Sequence, residues 1–214
     1  MKTLYNKFDK KLIPGLPRVL FEGRIFVIQT ETEADKAVKY LMDFPLLGVD
    51  TETRPSFRKG VINKVALLQV STEDTCFLFR LNRIGVPDSV RHLLQDSKVL
   101  KVGLSLRDDF ASLHKRGEFE PHSFLELQDY VKSFGIQDMS LQKLYANIFG
   151  QKISKGQRLT NWEADVLTEG QKLYAATDAW ACVRLYRELE SLKANHGYTL
   201  SIVPEPENNV NAEA

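Results

Sequence analysis

Cysteine is scarce in this 214-residue chain: Cys76 and Cys182 are its two thiols, 106 residues apart, and no C-x-x-C pair occurs. The four histidines, His92, His114, His122 and His196, are scattered. These absences argue against a zinc site, haem attachment or a disulfide framework, and they fit a reducing, cytoplasmic setting. Long apolar runs are missing too. Stretches such as Val65 to Leu68 fall far short of the ~20 residues that span a bilayer. Met1 to Gly15 holds lysines but no apolar core of a secretion signal, so a soluble protein with no membrane partner is expected. Neither sign of charge dominates: 29 Lys and Arg stand against 28 Asp and Glu, a net +1, so any basic site must be local. The phosphate-binding patterns G-x-x-x-x-G-K-[ST] and G-x-G-x-x-G are absent, which removes support for motor and dehydrogenase readings. Repeats are absent as well.

What is present is ordinary globular composition, 43% hydrophobic and 27% charged, with material for one domain. Residues 1 to 23, basic and broken by Pro14, Gly15 and Pro17, read as an arm over the domain with no core of its own. Strands are expected at Arg24 to Gln29, Leu46 to Thr53, Lys64 to Val70, Thr75 to Phe79 and Val99 to Val102. Helices are expected at Thr32 to Asp43 behind a Thr-x-x-Asp start, from Pro87 to Leu94, and from near Arg107. The second half reads as mostly helical, over Leu125 to Phe134, Ser140 to Phe149 and Glu169 to Leu192, with Val203 to Ala214 a disordered tail. The domain then runs from 24 to 194, a C-terminal extension follows over 195 to 214, and the class is α/β with a mixed central β-sheet flanked by α-helices.

Three acidic elements stand out. In Pro45-Leu-Leu-Gly-Val-Asp50-Thr-Glu52 an apolar strand presents two carboxylates on one face, since strand side chains alternate. With 13 Asp and 15 Glu in the chain, roughly 0.9 such pairs arise by chance, so the pair means little alone. Tyr174 and Asp178 lie four apart and share a helical face, one to two turns into a helix that Thr168 and Gln171 start as a capping box. Asp108 and Asp109 fall in the first turn of the helix after Gly103, where acids normally just complement the dipole, and spacing alone does not choose between them.

Convergence of these acids would change their meaning. Carboxylates within about 4 Å repel by roughly 4 kcal/mol per pair at an effective dielectric near 20. A domain stable by about 5 to 15 kcal/mol cannot absorb several such pairs unless protons or cations neutralise them. All-oxygen ligands select hard ions, Mg²⁺ or Mn²⁺, and two such ions point to phosphoryl chemistry.

The chain resembles the DEDD superfamily of 3′-5′ exonucleases, in its ribonuclease D-like branch and near the exonuclease domain of Werner-type proteins. The resemblance spans about residues 24 to 194 and is carried by four blocks. These are Leu47-Gly-Val-Asp50-Thr-Glu52, Lys64-Val-Ala-Leu-Leu-Gln69, Val102-Gly103 leading to Asp109 and Leu113, and Asn161-Trp162 before Leu167-Thr-Glu-Gly-Gln171-Lys-Leu-Tyr174-Ala-Ala-Thr-Asp178. In this family the second-motif acid lies six residues after a glycine and four before an apolar residue, which matches Asp109. The resemblance implies a ribonuclease H-like fold and two metal ions, Mg²⁺ or Mn²⁺, held by Asp50, Glu52, Asp109 and Asp178. It also implies that Tyr174 orients the attacking water. The sister type uses histidine five residues before the last aspartate; here that residue is Leu173, so this is the tyrosine type.

Two windows are basic and free of acids: 53 to 72, with Arg54, Arg58, Lys59 and Lys64, and 139 to 162, with Lys143, Lys152, Lys155 and Arg158. They suit phosphate contacts with a nucleic acid bearing a free 3′ end, DNA or RNA, and Trp162 is a candidate for stacking on a base. The expected product is a nucleoside monophosphate. Competing readings are a silent nucleic-acid-binding module of the same fold and a short-oligonucleotide phosphodiesterase. All five chemistry-bearing positions are intact, and the two basic windows favour a polymer. Helicase and C-terminal helical modules of relatives have no counterpart here, so a freestanding activity is expected.

Overall fold

The computed structural model describes residues 1–58, 60 and 62–204. The chain begins with β1 (Lys2–Tyr5), β2 (Arg24–Ile28), α1 (Glu31–Leu41), β3 (Leu46–Thr53), β4 (Val65–Ser71) and β5 (Thr75–Phe79). Next come α2 (Leu81–Ile84), α3 (Asp88–Gln95), β6 (Leu100–Gly103), α4 (Leu106–Leu113), β7 (Phe124–Glu126) and α5 (Leu127–Tyr130). The chain continues with α6 (Leu141–Phe149), α7 (Glu169–Ala194) and β8 (Tyr198–Ser201). Among the described residues six strands form one mixed sheet in the order β2-β5-β4-β3-β6-β7. β3, β4 and β5 pair antiparallel, while β2 with β5, β3 with β6 and β6 with β7 pair parallel.

Every residue of β4 and β5 is buried, the signature of strands covered on both faces. On one face Leu67, Leu78 and Val102 meet Ala175, Ala176, Ala181 and Cys182 of α7. On the other, Leu47, Val49, Leu68, Val70 and Phe79 meet Val38 and Leu41 of α1 and Leu93 and Leu94 of α3. The approach of α7 to β3 is so close that a Cβ at Gly48 would stand 1.9 Å from the Ala179 carbonyl oxygen. Glycine there lets the helix lie directly on the acidic strand.

Three expectations need correction. Residues 1 to 23 do enter the core: β1 pairs parallel with β8, Leu4 is fully buried, and Phe21 packs on Trp180 with ring centroids 5.9 Å apart. α1 starts at Glu31, one residue earlier than expected, and is capped by Thr30 in place of Thr32, with Glu33 closing the box. The stretch Leu125 to Phe134 opens as strand, since Leu125 pairs with Val102 of β6, before α5 and a 3₁₀ turn over Val131–Phe134. Of the expected tail, residues 205–214 lie outside the described residues, as does Lys59 of the first basic window.

Candidate active site

β3 carries Asp50 opposite Gln69 and Glu52 opposite Leu67 of β4, with a register shift between Glu52 and Thr53 that re-aims the strand end. α7 brings Asp178 over the same face. One carboxylate oxygen from each of Asp50, Glu52 and Asp178 lies within 4.8 Å of the others. Glu52 and Asp178 are 9% and 7% exposed. An oxygen of Asp178, Oδ1, is buried with no hydrogen-bond partner among the described residues. An unpaired buried carboxylate oxygen is costly, and this carboxylate sits beside two others.

The electrostatics follow. Burial raises Asp50 well above the carboxylate range, and Asp109, Asp178 and Glu52 raise it further. Glu52 is pushed up to about 9, by burial first and then by Asp178 and Asp109. Burial lifts Asp178 to about 7 against a hydrogen bond from Tyr174 and the Lys155 charge. Tyr174 itself is driven upward by burial and by the acids around it, so its hydroxyl stays protonated. The donor set is all-oxygen, anionic and partly orphaned, which fits a hard divalent cation.

Asp109 reaches the same acids from α4, and among the neighbouring charges it is the one that raises Asp50 most. It lies in the first turn of α4, its carboxylate accepts from the Thr51 hydroxyl, and it shares a small hollow with Val49, Asp50, Thr51 and Phe110. Burial lifts it to about 7, while the Thr51 bond pulls it back. It still bears electrostatically on Asp50 and Glu52. Asp50, Glu52 and Asp178 thus lie within 4.8 Å of one another, and Asp109 adjoins Asp50 in the hollow that both line.

The basic residues divide. Lys155 and Arg158 line a groove of about 280 Å³ with Ser105, Gln142, Tyr174 and Asp178. Arg54 is exposed, 3.4 Å from Glu163, and Arg58 sits in the exposed loop after β3. Lys152 is turned away, its ammonium donating to the Pro14 carbonyl. Trp162 does not offer a stacking face: it is 0% exposed, with its ring 6.0 Å from that of Tyr174. It packs behind the tyrosine, which is why a base cannot reach it. Sequence reasoning missed Thr51, whose position between the two acids was the available signal, and Glu126, whose contacts with α4 depend on a distant strand pairing.

With this geometry established, similarity to known proteins is specific. A family model for the 3′-5′ exonuclease domain matches residues 25–193. A 3′-5′ exonuclease of Arabidopsis thaliana is 33% identical over 208 residues, covering 89% of this chain and 72% of that protein. The Mus musculus bifunctional 3′-5′ exonuclease/ATP-dependent helicase WRN is 33% identical over 71% of this chain, which spans 11% of that much longer protein. In fold, the Aedes aegypti Nibbler EXO domain superposes with a TM-score of 0.73 at 19% identity, covering 83% of this chain and 92% of that one. The fold is therefore the ribonuclease H-like fold that the motifs implied. The family match covers the acidic strand, the α4 turn and the α7 helix together, and on that ground the chain belongs to the 3′-5′ exonuclease family.

Proposed function

We propose that this chain hydrolyses phosphodiester bonds of a DNA or RNA strand from its free 3′ end, releasing nucleoside monophosphates, with Asp50, Glu52, Asp109 and Asp178 holding two Mg²⁺ or Mn²⁺ ions. The single observation that carries this reading is the trio of Asp50, half-buried, with Glu52 and Asp178, both buried, within 4.8 Å. Bound divalent ions would neutralise the acids, favour ionisation of the attacking water and balance charge on the attacking and leaving oxygens of an in-line displacement.

The chain's own groups do the rest. Tyr174, kept protonated, hydrogen-bonds and orients the water, and it is no base at neutral pH. Trp162 holds that ring from behind. Lys155 and Arg158 grip phosphates of the strand in the groove, supported by their place on its wall. The two buried free thiols, Cys76 and Cys182, support a reducing, cytoplasmic setting as part of the same proposal.

The test uses 5′-labelled single-stranded DNA, recessed-end duplex and RNA with Mg²⁺ or Mn²⁺, beside Asp50→Ala and Asp178→Ala. A ladder shortening from the 3′ side with the unmodified protein alone is the expected result. No ladder on any substrate, with binding retained, would leave a nucleic-acid-binding module instead.

A further inference from the structure

The turn from β6 into α4 is held in an unusual way. Ser105 precedes the helix in the left-handed region, φ 66°, and its side chain supplies no cap. A helix start without a cap leaves backbone N–H groups unpaired. Here another strand takes them up. Ser105 N–H donates to one Glu126 carboxylate oxygen at 3.1 Å and Leu106 N–H to the other at 2.7 Å. The first oxygen also accepts from Gln128 N–H at 3.0 Å. Gln128 closes the arrangement, its side-chain amide donating to Ser105 Oγ at 3.1 Å and to the Met139 carbonyl at 2.8 Å. There is little slack, since a Cβ at Gly103 would stand 2.5 Å from the Leu106 side chain and 2.9 Å from the Val49 carbonyl oxygen.

Asp109 lies three residues beyond Leu106, so its reach toward β3 is set by this first turn and by Thr51. A neutral cap at position 105 would serve helix stability alone. It would not tie α4 to β7. We propose that Glu126 is a positioning residue of the metal centre: it pins the first turn of α4 to β7 and thereby fixes where the Asp109 carboxylate stands beside Asp50 and Glu52. The proposal rests on the two-ion reading above. Glu126 acts through the α4 backbone and needs no contact with ion or substrate.

The test follows Mn²⁺ uptake by the full chain, read from loss of the free-ion electron paramagnetic resonance signal, beside thermal unfolding and oligonucleotide cleavage. Glu126→Gln keeps the volume but leaves one acceptor oxygen for three N–H groups. Its half-saturating Mn²⁺ concentration should rise about tenfold, the usual cost of losing an outer support of a metal ligand, and kcat should fall with KM unchanged. A folded Glu126→Gln protein that titrates Mn²⁺ like the unmodified one overturns the proposal, even with a lower Tm, because a lower Tm alone is what a mere helix cap would produce. If that variant does not fold, Gln128→Leu, which cuts the bonds to Ser105 and Met139, carries the same expectation, and an unchanged titration overturns it. Unmodified protein that takes up no Mn²⁺ would overturn the two-ion reading and this one together, whereas normal uptake with unchanged variants overturns this one alone.

Discussion

The Thr51 hydroxyl donates to the Asp109 carboxylate, so the acid delivered by α4 is tied to the strand that carries Asp50 and Glu52. Strand alternation puts Thr51 on the face opposite those two acids, and Asp109 is held from there. Burial lifts Asp109 to about 7 and this bond opposes the lift. Thr51→Val keeps the shape and removes the donor. The acid limb of the pH–rate profile should move up by on the order of one pH unit, the size of one hydrogen bond to a charged group. Superimposable profiles would show that the Thr51 bond has no part in the working state.

Trp162 and Tyr174 form a second such relationship, with ring centroids 6.0 Å apart and the indole sealed from solvent. Trp162→Ala should cost about 3 to 5 kcal/mol of stability through the cavity it leaves. At a temperature where the variant stays folded, kcat should fall with Tyr174 unsupported while oligonucleotide affinity holds. A large loss of affinity measured by anisotropy would restore Trp162 as a contact to the strand.

Among the cations, position in the groove separates Lys155 and Arg158 from Lys152. Lys155→Ala and Arg158→Ala should each raise KM several-fold and reduce the slope of log K against log salt by about one. Lys152→Ala should leave that slope unchanged, because its ammonium already serves the Pro14 carbonyl. Equal slopes for all three variants would contradict the assignment of the groove.

The parts of this site that could be read in advance are those set by local periodicity. Asp50 and Glu52 share a face because strands alternate, and Tyr174 and Asp178 meet because helices repeat every 3.6 residues; both hold. What escaped was set by pairing between distant segments. By sequence Glu126 reads as a helical residue, and it is the pairing of β7 with β6 that turns its carboxylate to the α4 turn. The N-terminal strand β1 was invisible because its four residues bury one apolar side chain, Leu4, and its partner β8 lies almost at the other end of the chain. Trp162 reads as a stacking residue because an aromatic beside a basic loop has that chemistry, and its burial overrules that reading.

The four raised acids make the metal-free protein sensitive to pH in a direction that can be worked out. Asp50, Glu52, Asp109 and Asp178 all sit above their ordinary values, by burial first, with Lys155 and Arg158 opposing only in part. Unfolded carboxylates titrate near 4, so above that pH the folded state holds more protons than the unfolded one and stability falls as pH rises. The decline should continue from about pH 4 up to the Glu52 value of about 9. Divalent ions compete with those protons, so uptake strengthens as pH rises and releases protons into the medium. At pH 8, Mn²⁺ at a hundred times its Kd should add about 2.7 kcal/mol, which for a chain of this size moves Tm by roughly 5 to 10 °C. At pH 5 the same concentration should do far less. Asp178→Asn removes one of the repelling charges, and should raise the Tm of the metal-free protein at pH 8 while abolishing its response to Mn²⁺. Scanning calorimetry across pH 5 to 9, with and without Mn²⁺, checks all three statements, and a Tm of metal-free protein that climbs through this range would refute the claim that folding crowds these carboxylates enough to hold protons on them.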